Sequence, residues 1–156
     1  MDVFDEGIEA QEDTQKGKYL KVAVDSEAYG MAIKYVIEII SIQAITQIPD
    51  VPDYLKGIIN VRGKIIPVVD LRIKFGRPAA DYNDRTSIAI VDIQNTLIGL
   101  IVDHVFEVVN IEEEQINPPP TAAGSHNQFI SGIGTIGDAM LLVIDCEKLL
   151  TANKEK

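Results

Sequence analysis

The chain has 156 residues, with 24 acidic side chains against 14 basic ones and a net charge of −10. Such an acidic body repels phosphate backbones and argues against nucleic acid as a partner. No run of about 18 apolar residues and no basic-then-apolar leader occurs, so the sequence is expected to be cytoplasmic, without direct membrane insertion or a secretory signal.

Residues 1–16 carry Asp2, Asp5, Glu6, Glu9, Glu12 and Asp13 against Lys16 alone, and this polar acidic tail is predicted to be disordered. Alternating apolar positions then begin a strand with Tyr19, Val22 and Val24, followed by a turn at Asp25 to Glu27 and a second strand from about Ala28 to Ile33. Lys34 to Ser41 fits either a β-branched strand or a helical turn through Ile33, Val36, Ile37 and Ile40. A loop at Asp50–Asp53, flanked by Pro49 and Pro52, leads to a predicted short turn of helix at Tyr54. Strands Gly57–Val61 and Lys64–Asp70 leave Arg62 and Gly63 as a tight hairpin turn, with Arg62 held at an exposed tip. Pro67 has no N–H to give a ladder, which predicts an edge strand or a bulge there. Leu71–Gly76 reads as a short helix capped by Gly76.

A further strand runs from about Thr86 to Ile93, turns at Gln94–Thr96 and continues as a long β tract to Ile111. Glu112–Asn117 and Pro118–Asn127 read as a solvated loop. Phe129–Ile144 is a second hairpin, with Gly137 and Asp138 at its turn, and Asp145–Thr151 is a terminal helix before a tail at 152–156.

These elements occur twice. Gly30–Ile42 returns sixty-nine residues later as Gly99–Ile111, with Gly30/Gly99, Val36/Val105, Glu38/Glu107 and Ile42/Ile111 in register. Tyr54–Phe75 likewise aligns with Phe129–Leu150, which pairs Gly57 with Gly132 and Asp70 with Asp145. Separate halves this short would be marginal, whereas a chain of about 150 residues buries roughly 70% of its unfolded surface. Residues 17–151 are therefore expected to form one mostly β domain, made of two intertwined β-barrel subdomains at about 17–85 and 86–151 around a shared core. A groove between such units is a natural binding place.

Catalytic chemistry is poorly represented. Asp70 and Asp145 invite comparison with an aspartic-type hydrolase, where two carboxylates share a proton. Each, however, precedes a short helix (Asp70-Leu71-Arg72, Asp145-Cys146-Glu147), and a helix N-cap accounts for both. His104 takes the position of Tyr35 in the other copy, and neither it nor His126 has a companion at metal-ligand spacing. Cys146, the single cysteine, has no nearby His and reads as a buried inert thiol. Glu112-Glu113-Glu114 is a solvated run, and no phosphate-binding glycine loop occurs. The sequence thus predicts no enzyme, no cofactor and no metal.

The run Tyr54-Leu-Lys-Gly57-Ile-Ile-Asn60-Val-Arg62-Gly63-Lys-Ile-Ile-Pro67-Val-Val-Asp70-Leu-Arg72, with Phe75, resembles the signature of the bacterial chemotaxis coupling proteins of the CheW family. Tyr29-Gly30 with Val36 and Glu38, Tyr82-Asn83-Asp84, Gly99 with Val102-Asp103 and Val105, and Gly132 through Leu150 extend the resemblance over about residues 18–151. It implies two five-stranded SH3-like β-barrels around a shared hydrophobic core, with no enzymatic activity. It also implies a scaffold, monomeric in isolation, that links the cytoplasmic tips of methyl-accepting chemoreceptors to the regulatory domain of the histidine kinase CheA in membrane-associated arrays. By matching position, Val36, Glu38, Gly57, Asn60, Arg62, Val105 and Val108 are the receptor-groove candidates, and Ile45, Thr46, Gln47, Lys56 and Ser87 the kinase candidates. Core packing is the competing reading for the valines, a solvated charge for Arg62, and a backbone requirement for Gly57. A paralogue that serves another receptor–kinase pathway would carry the same motifs.

Overall fold

In a computed structural model, which describes residues 15–119 and 128–155, eleven strands make two sheets. The acidic tail to residue 14, His126 and most of the Pro-rich loop lie outside the described residues. Strands β1 (Lys18–Val24) and β2 (Glu27–Ala32) form a hairpin; β3 (Val36–Ser41) follows after a 3-10 turn at Ile33–Tyr35, so the ambiguous stretch is part turn and mostly strand. The next hairpin is β4 (Leu55–Val61) and β5 (Lys64–Asp70), closed by helix α1 (Leu71–Lys74). Then come β6 (Ser87–Ile93), β7 (Thr96–Val102), β8 (His104–Asn110), the two-residue β9 (Ile116–Asn117), β10 (Ile130–Ile136), β11 (Ala139–Ile144) and helix α2 (Cys146–Glu155).

The hairpin turns follow from local chemistry. Asp25 and Ser26 have φ of 52° and 65°, Gln94 and Asn95 the same two values, and Arg62 and Gly63 have 50° and 88°. Positive φ at both central residues matches the twist of the flanking strands. Several expectations need correction. Tyr54 lies in a turn in which the Leu55 N–H donates to the Pro52 carbonyl (3.0 Å), and no helix forms there. The long β tract breaks at Asp103 into β7 and β8. The loop after Ile111 contains a 3-10 turn, Glu113–Gln115, and β9, and α2 continues past Thr151 to Glu155. Pro67 is on neither an edge strand nor a bulge: β5 lies between β7 and β4, its ladder with β7 begins one residue later at Val68, and the irregularity falls on β4 between Leu55 and Gly57.

Sheet order shows how the repeat is used. One sheet runs β3-β6-β7-β5-β4 and the other β8-β1-β2-β11-β10-β9. The division expected near residue 85 is therefore not where the sheets part, because each copy lends strands to the other: β2 pairs in parallel with β11 (Gly30↔Val143), and β7 in the same way with β5 (Gly99↔Val68). Residues 36–102 supply one sheet, while 18–32 and 104–144 supply the other. The equivalence extends to detail, since the Thr46↔Ile58 bridge beside β4 has its counterpart in the Asn117↔Ile133 pair of β9 and β10. The second sheet thus has six strands rather than five.

The larger core is built from equivalent residues of the two sheets: Leu20, Val22, Val24, Tyr29 and Met31 on β1 and β2, and Ala89, Val91, Ile93, Ile98 and Leu100 on β6 and β7. A smaller core of Ile59, Ile66, Val68, Ile88, Ile90 and Ile101 fills the inside of the curled first sheet. Burying both rows in one core means that neither unit has a complete interior alone.

Candidate functional site

The β4–β5 hairpin and β3 occupy opposite edges of the first sheet, and curling brings them together. Arg62, at the hairpin tip, hydrogen-bonds and ion-pairs with Glu38 of β3. The Asn60 side chain accepts the Gly63 N–H at 3.0 Å and braces the turn that presents Arg62. The arginine side chain remains 72% exposed, which leaves much of its fork of donors free for a carboxylate or carbonyl. Its hydrogen bond also holds the Glu38 carboxyl below the usual carboxylate range. The other hairpin tip carries Gly137 and Asp138 at the equivalent positions, so only one copy presents a guanidinium.

Val36 and Val105, equivalent residues of β3 and β8, both pack half-buried against the larger core. Val108 is 49% exposed on edge strand β8, with Leu20 of the larger core as its strand partner; its equivalent Ile39 on β3 is 43% exposed, with the core residue Ala89 opposite. Cross-strand partners project to the same side, so each edge strand carries the apolar face of the shared core out into solvent. Ile37 and Phe106 form a second equivalent pair of exposed apolar residues, and Ile65 and Met140 a third. The sequence reading passed over Ile37, Ile39 and Phe106, although the repeat register already tied Ile39 to Val108.

Gly57 differs from its fellow candidates. It is buried with φ +145°, and a Cβ there would lie 2.1 Å from the Thr46 carbonyl oxygen and 2.8 Å from the Ile45 side chain. The backbone reading therefore describes it: it lets the strand carrying Arg62 pass against the segment carrying Ile45, Thr46 and Gln47. Thr46 and Ile58 exchange two backbone hydrogen bonds of 2.9 Å. Ile45 packs on the smaller core, while Thr46 and Gln47 are exposed. Lys56, one residue before Gly57, lines a cleft with Asp70 and Tyr82. Ser87 stands apart on β6, where it is paired with Ser41 and its hydroxyl donates to the Arg85 carbonyl at 3.2 Å.

The paired aspartates are capping groups. Asp70 accepts the Arg72 N–H at 2.9 Å and the Tyr82 hydroxyl at 2.7 Å, and Asp145 accepts the Lys148 N–H at 3.2 Å. Cys146 is 1% exposed, and burial pushes its thiol up to about 12. Among the described residues, no group of three potential metal ligands occurs and no helix is long and apolar enough to cross a membrane.

One charged cluster had no sequence signal, because its members come from three distant segments. Arg72 of α1 forks onto Asp103, with Nε at 3.0 and 3.1 Å from its two oxygens and Nη2 at 2.9 Å, and reaches Asp25 at 3.2 Å. Arg77 joins Asp25 (3.2 Å) and Glu27 (2.7 Å) and donates to the Tyr29 hydroxyl at 3.2 Å.

A family model described as a CheW-like domain matches residues 18–154. The chain belongs to the CheW-like family. It is 34% identical over 138 residues to a chemotaxis protein CheW of Klebsiella aerogenes, covering 88% of this chain and 83% of that protein. A Bacillus subtilis chemotaxis protein CheW is 32% identical over 134 residues, covering 85% and 86%. A crystal structure of the scaffolding protein TtCheW from Thermoanaerobacter tengcongensis superposes with a TM-score of 0.78 at 40% identity, over 82% of this chain and 88% of that one. The expected fold, two SH3-like barrels sharing a hydrophobic core, is thus the one found. The chain is a CheW-family chemotaxis scaffold rather than an enzyme.

Proposed function

We propose that this CheW-family chain couples the cytoplasmic tips of methyl-accepting chemoreceptors to the regulatory domain of the histidine kinase CheA, and is recruited from the cytoplasm to receptor arrays. The observation that carries the reading is the joining of two surfaces along one hairpin. On one side, the Arg62 tip at the end of β4, braced by Asn60, reaches Glu38 on the opposite edge strand β3, which also bears Val36 and exposed apolar residues. On the other side, the same strand β4 holds Thr46 by paired backbone hydrogen bonds. A receptor tip is a helical hairpin whose apolar face needs apolar area and whose register needs a polar fix. Val36, Val105 and Val108 offer the area, and Arg62 offers the fork. Ile45, Thr46, Gln47 and Lys56 form the kinase face in this reading, with Ser87 as an outlying contributor.

Calorimetric titration with a CheA regulatory domain and with a receptor cytoplasmic fragment tests it. The expected result is binding to each, with Arg62→Ala weakening only the receptor arm and a Thr46 substitution only the kinase arm. Absence of binding to both would overturn the coupling role and leave the fold untouched.

A further inference from the structure

The Arg72 cluster joins two sheets at the point where the chain crosses between them. Asp103 is the last residue before β8, and its backbone N–H donates to the Ala23 carbonyl at 2.9 Å while its carboxylate accepts the Asp25 N–H at 2.8 Å. Those bonds hold it to the β1–β2 hairpin of the second sheet. Arg72 belongs to α1, which continues directly from β5 of the first sheet, and its side chain is only 19% exposed. Nη1 also donates to the Pro78 carbonyl at 3.1 Å, so the guanidinium is fixed from its own side as well.

The other copy carries a comparable tie one register position on, since the equivalent of Tyr35 is His104 and not Asp103. Tyr35 is the last residue before β3, and its hydroxyl donates to Glu147 of α2 at 3.1 Å. Glu147 is the equivalent of Arg72 in the repeat register. Each edge strand that bears receptor candidates is thus tied, just before its first residue, to the helix that closes a hairpin of the opposite sheet. The β8 tie is a multidentate ionic fork, whereas Tyr35 holds Glu147 through its hydroxyl; charge-assisted forks are strong and directional.

We propose that Arg72 is a positioning residue for receptor binding, which sets β8, with Val105 and Val108, in register with the Arg62 tip without itself touching the receptor. This inference rests on the receptor-groove reading above. Two variants test it, Arg72→Gln, which removes the fork, and Arg72→Lys, which keeps the charge and one arm. Each is measured for melting temperature, for affinity to a receptor cytoplasmic fragment and to a CheA regulatory domain, and for amide exchange along β8.

Arg72→Gln is expected to weaken receptor binding about tenfold, within the range by which a residue that touches no ligand can change binding. Kinase-domain affinity should stay within about twofold, β8 amides should exchange faster, and Arg72→Lys should recover part of the lost affinity. If Arg72→Gln lowers the melting temperature but leaves receptor affinity and β8 exchange at wild-type values, Arg72 is a stability residue only and the inference fails. Equal loss of receptor and kinase binding also overturns it, because the effect is then global. Failure of the wild-type chain to bind the receptor fragment overturns the groove reading itself, and the inference with it.

Discussion

Alanine at Gly57 gives the sharpest test of how the hairpin is seated, because the same substitution at the equivalent Gly132 provides an internal control. At Gly57 the added carbon meets the Thr46 carbonyl oxygen at 2.1 Å, and φ is +145°. Strain of a side chain in that backbone region costs about 1–3 kcal/mol, and forcing apart a packed contact costs about as much again. The sum, about 4 kcal/mol, is a large fraction of a typical domain stability. For a chain of this length it corresponds to a fall of about 10 °C in melting temperature. At Gly132 no left-handed φ applies, and the nearest atoms are an Ile116 methyl at 2.6 Å and the Asn117 carbonyl oxygen at 3.0 Å. The Ile116 γ-methyl can yield by a small side-chain shift, the backbone oxygen here is farther away than at Gly57, and no left-handed strain is added, so Gly132→Ala should cost less, about 1–2 kcal/mol. Thermal unfolding followed by circular dichroism measures both. Because the displaced atom at Gly57 belongs to Thr46, affinity for the kinase regulatory domain should fall in Gly57→Ala and survive in Gly132→Ala. A Gly57→Ala protein that melts with the wild type, or a Gly132→Ala protein that loses more, would refute this reasoning.

Arg62→Ala should fold normally, since the side chain is 72% exposed, yet weaken receptor binding by more than about 1 kcal/mol; unchanged affinity in a titration removes Arg62 from the site. Burial, reinforced by the hydrogen bond to Asp70, raises the Tyr82 phenol above its ordinary value of 10.0. The fold therefore favours the neutral phenol, and its contribution is complete below pH ~10 and is lost as pH climbs toward the raised value. Tyr82→Phe should cost about 1–3 kcal/mol at neutral pH, by leaving a buried carboxylate oxygen of Asp70 unpaired, and should flatten the alkaline limb of a denaturant-stability profile; a limb of unchanged slope would contradict the assignment. Cys146, with its thiol pushed up to about 12 by burial, should resist a thiol reagent in the native state and react at the rate of unfolding. Modification faster than unfolding would mean that the α2 end of the core opens locally.

What was legible in the sequence was what is local. The Arg62-Gly63 turn, its strands and the capping role of Asp70 and Asp145 all follow from residues within a few positions of one another. The repeat was legible too, but not its use: Gly30 and Val143 pair across more than a hundred residues, and strand periodicity says which face is buried without saying against which partner. The same distance hid the Arg72–Asp103–Asp25 cluster, each of whose members looks like an ordinary surface charge. The turn at Tyr54 and the break at Asp103 were misread because a β-branched or turn-rich run fits several local states until packing chooses among them.

The exchange of strands bears on how one small domain serves two partners at once. Had each repeat folded on itself, a pull on one unit would reach the other only through a linker. Here β2 leads out of the second sheet into β3 of the first, and β7 leads back into β8. The backbone thus enters both edge strands from the opposite sheet, and the larger core is made jointly. Under the proposed coupling role, a receptor pressing on β3, β8 and the Arg62 tip acts on segments whose other ends are embedded in both sheets. The shortest route onward is along β4, from Arg62 through Ile58 to its two hydrogen bonds with Thr46, a few residues of continuous ladder with no flexible joint. Packed elements of this kind move as bodies rather than deforming smoothly. A rigid transfer of position between the two faces is therefore the physical form that coupling would take, and Gly57, where the ladder permits no side chain, is the point at which it is most easily broken.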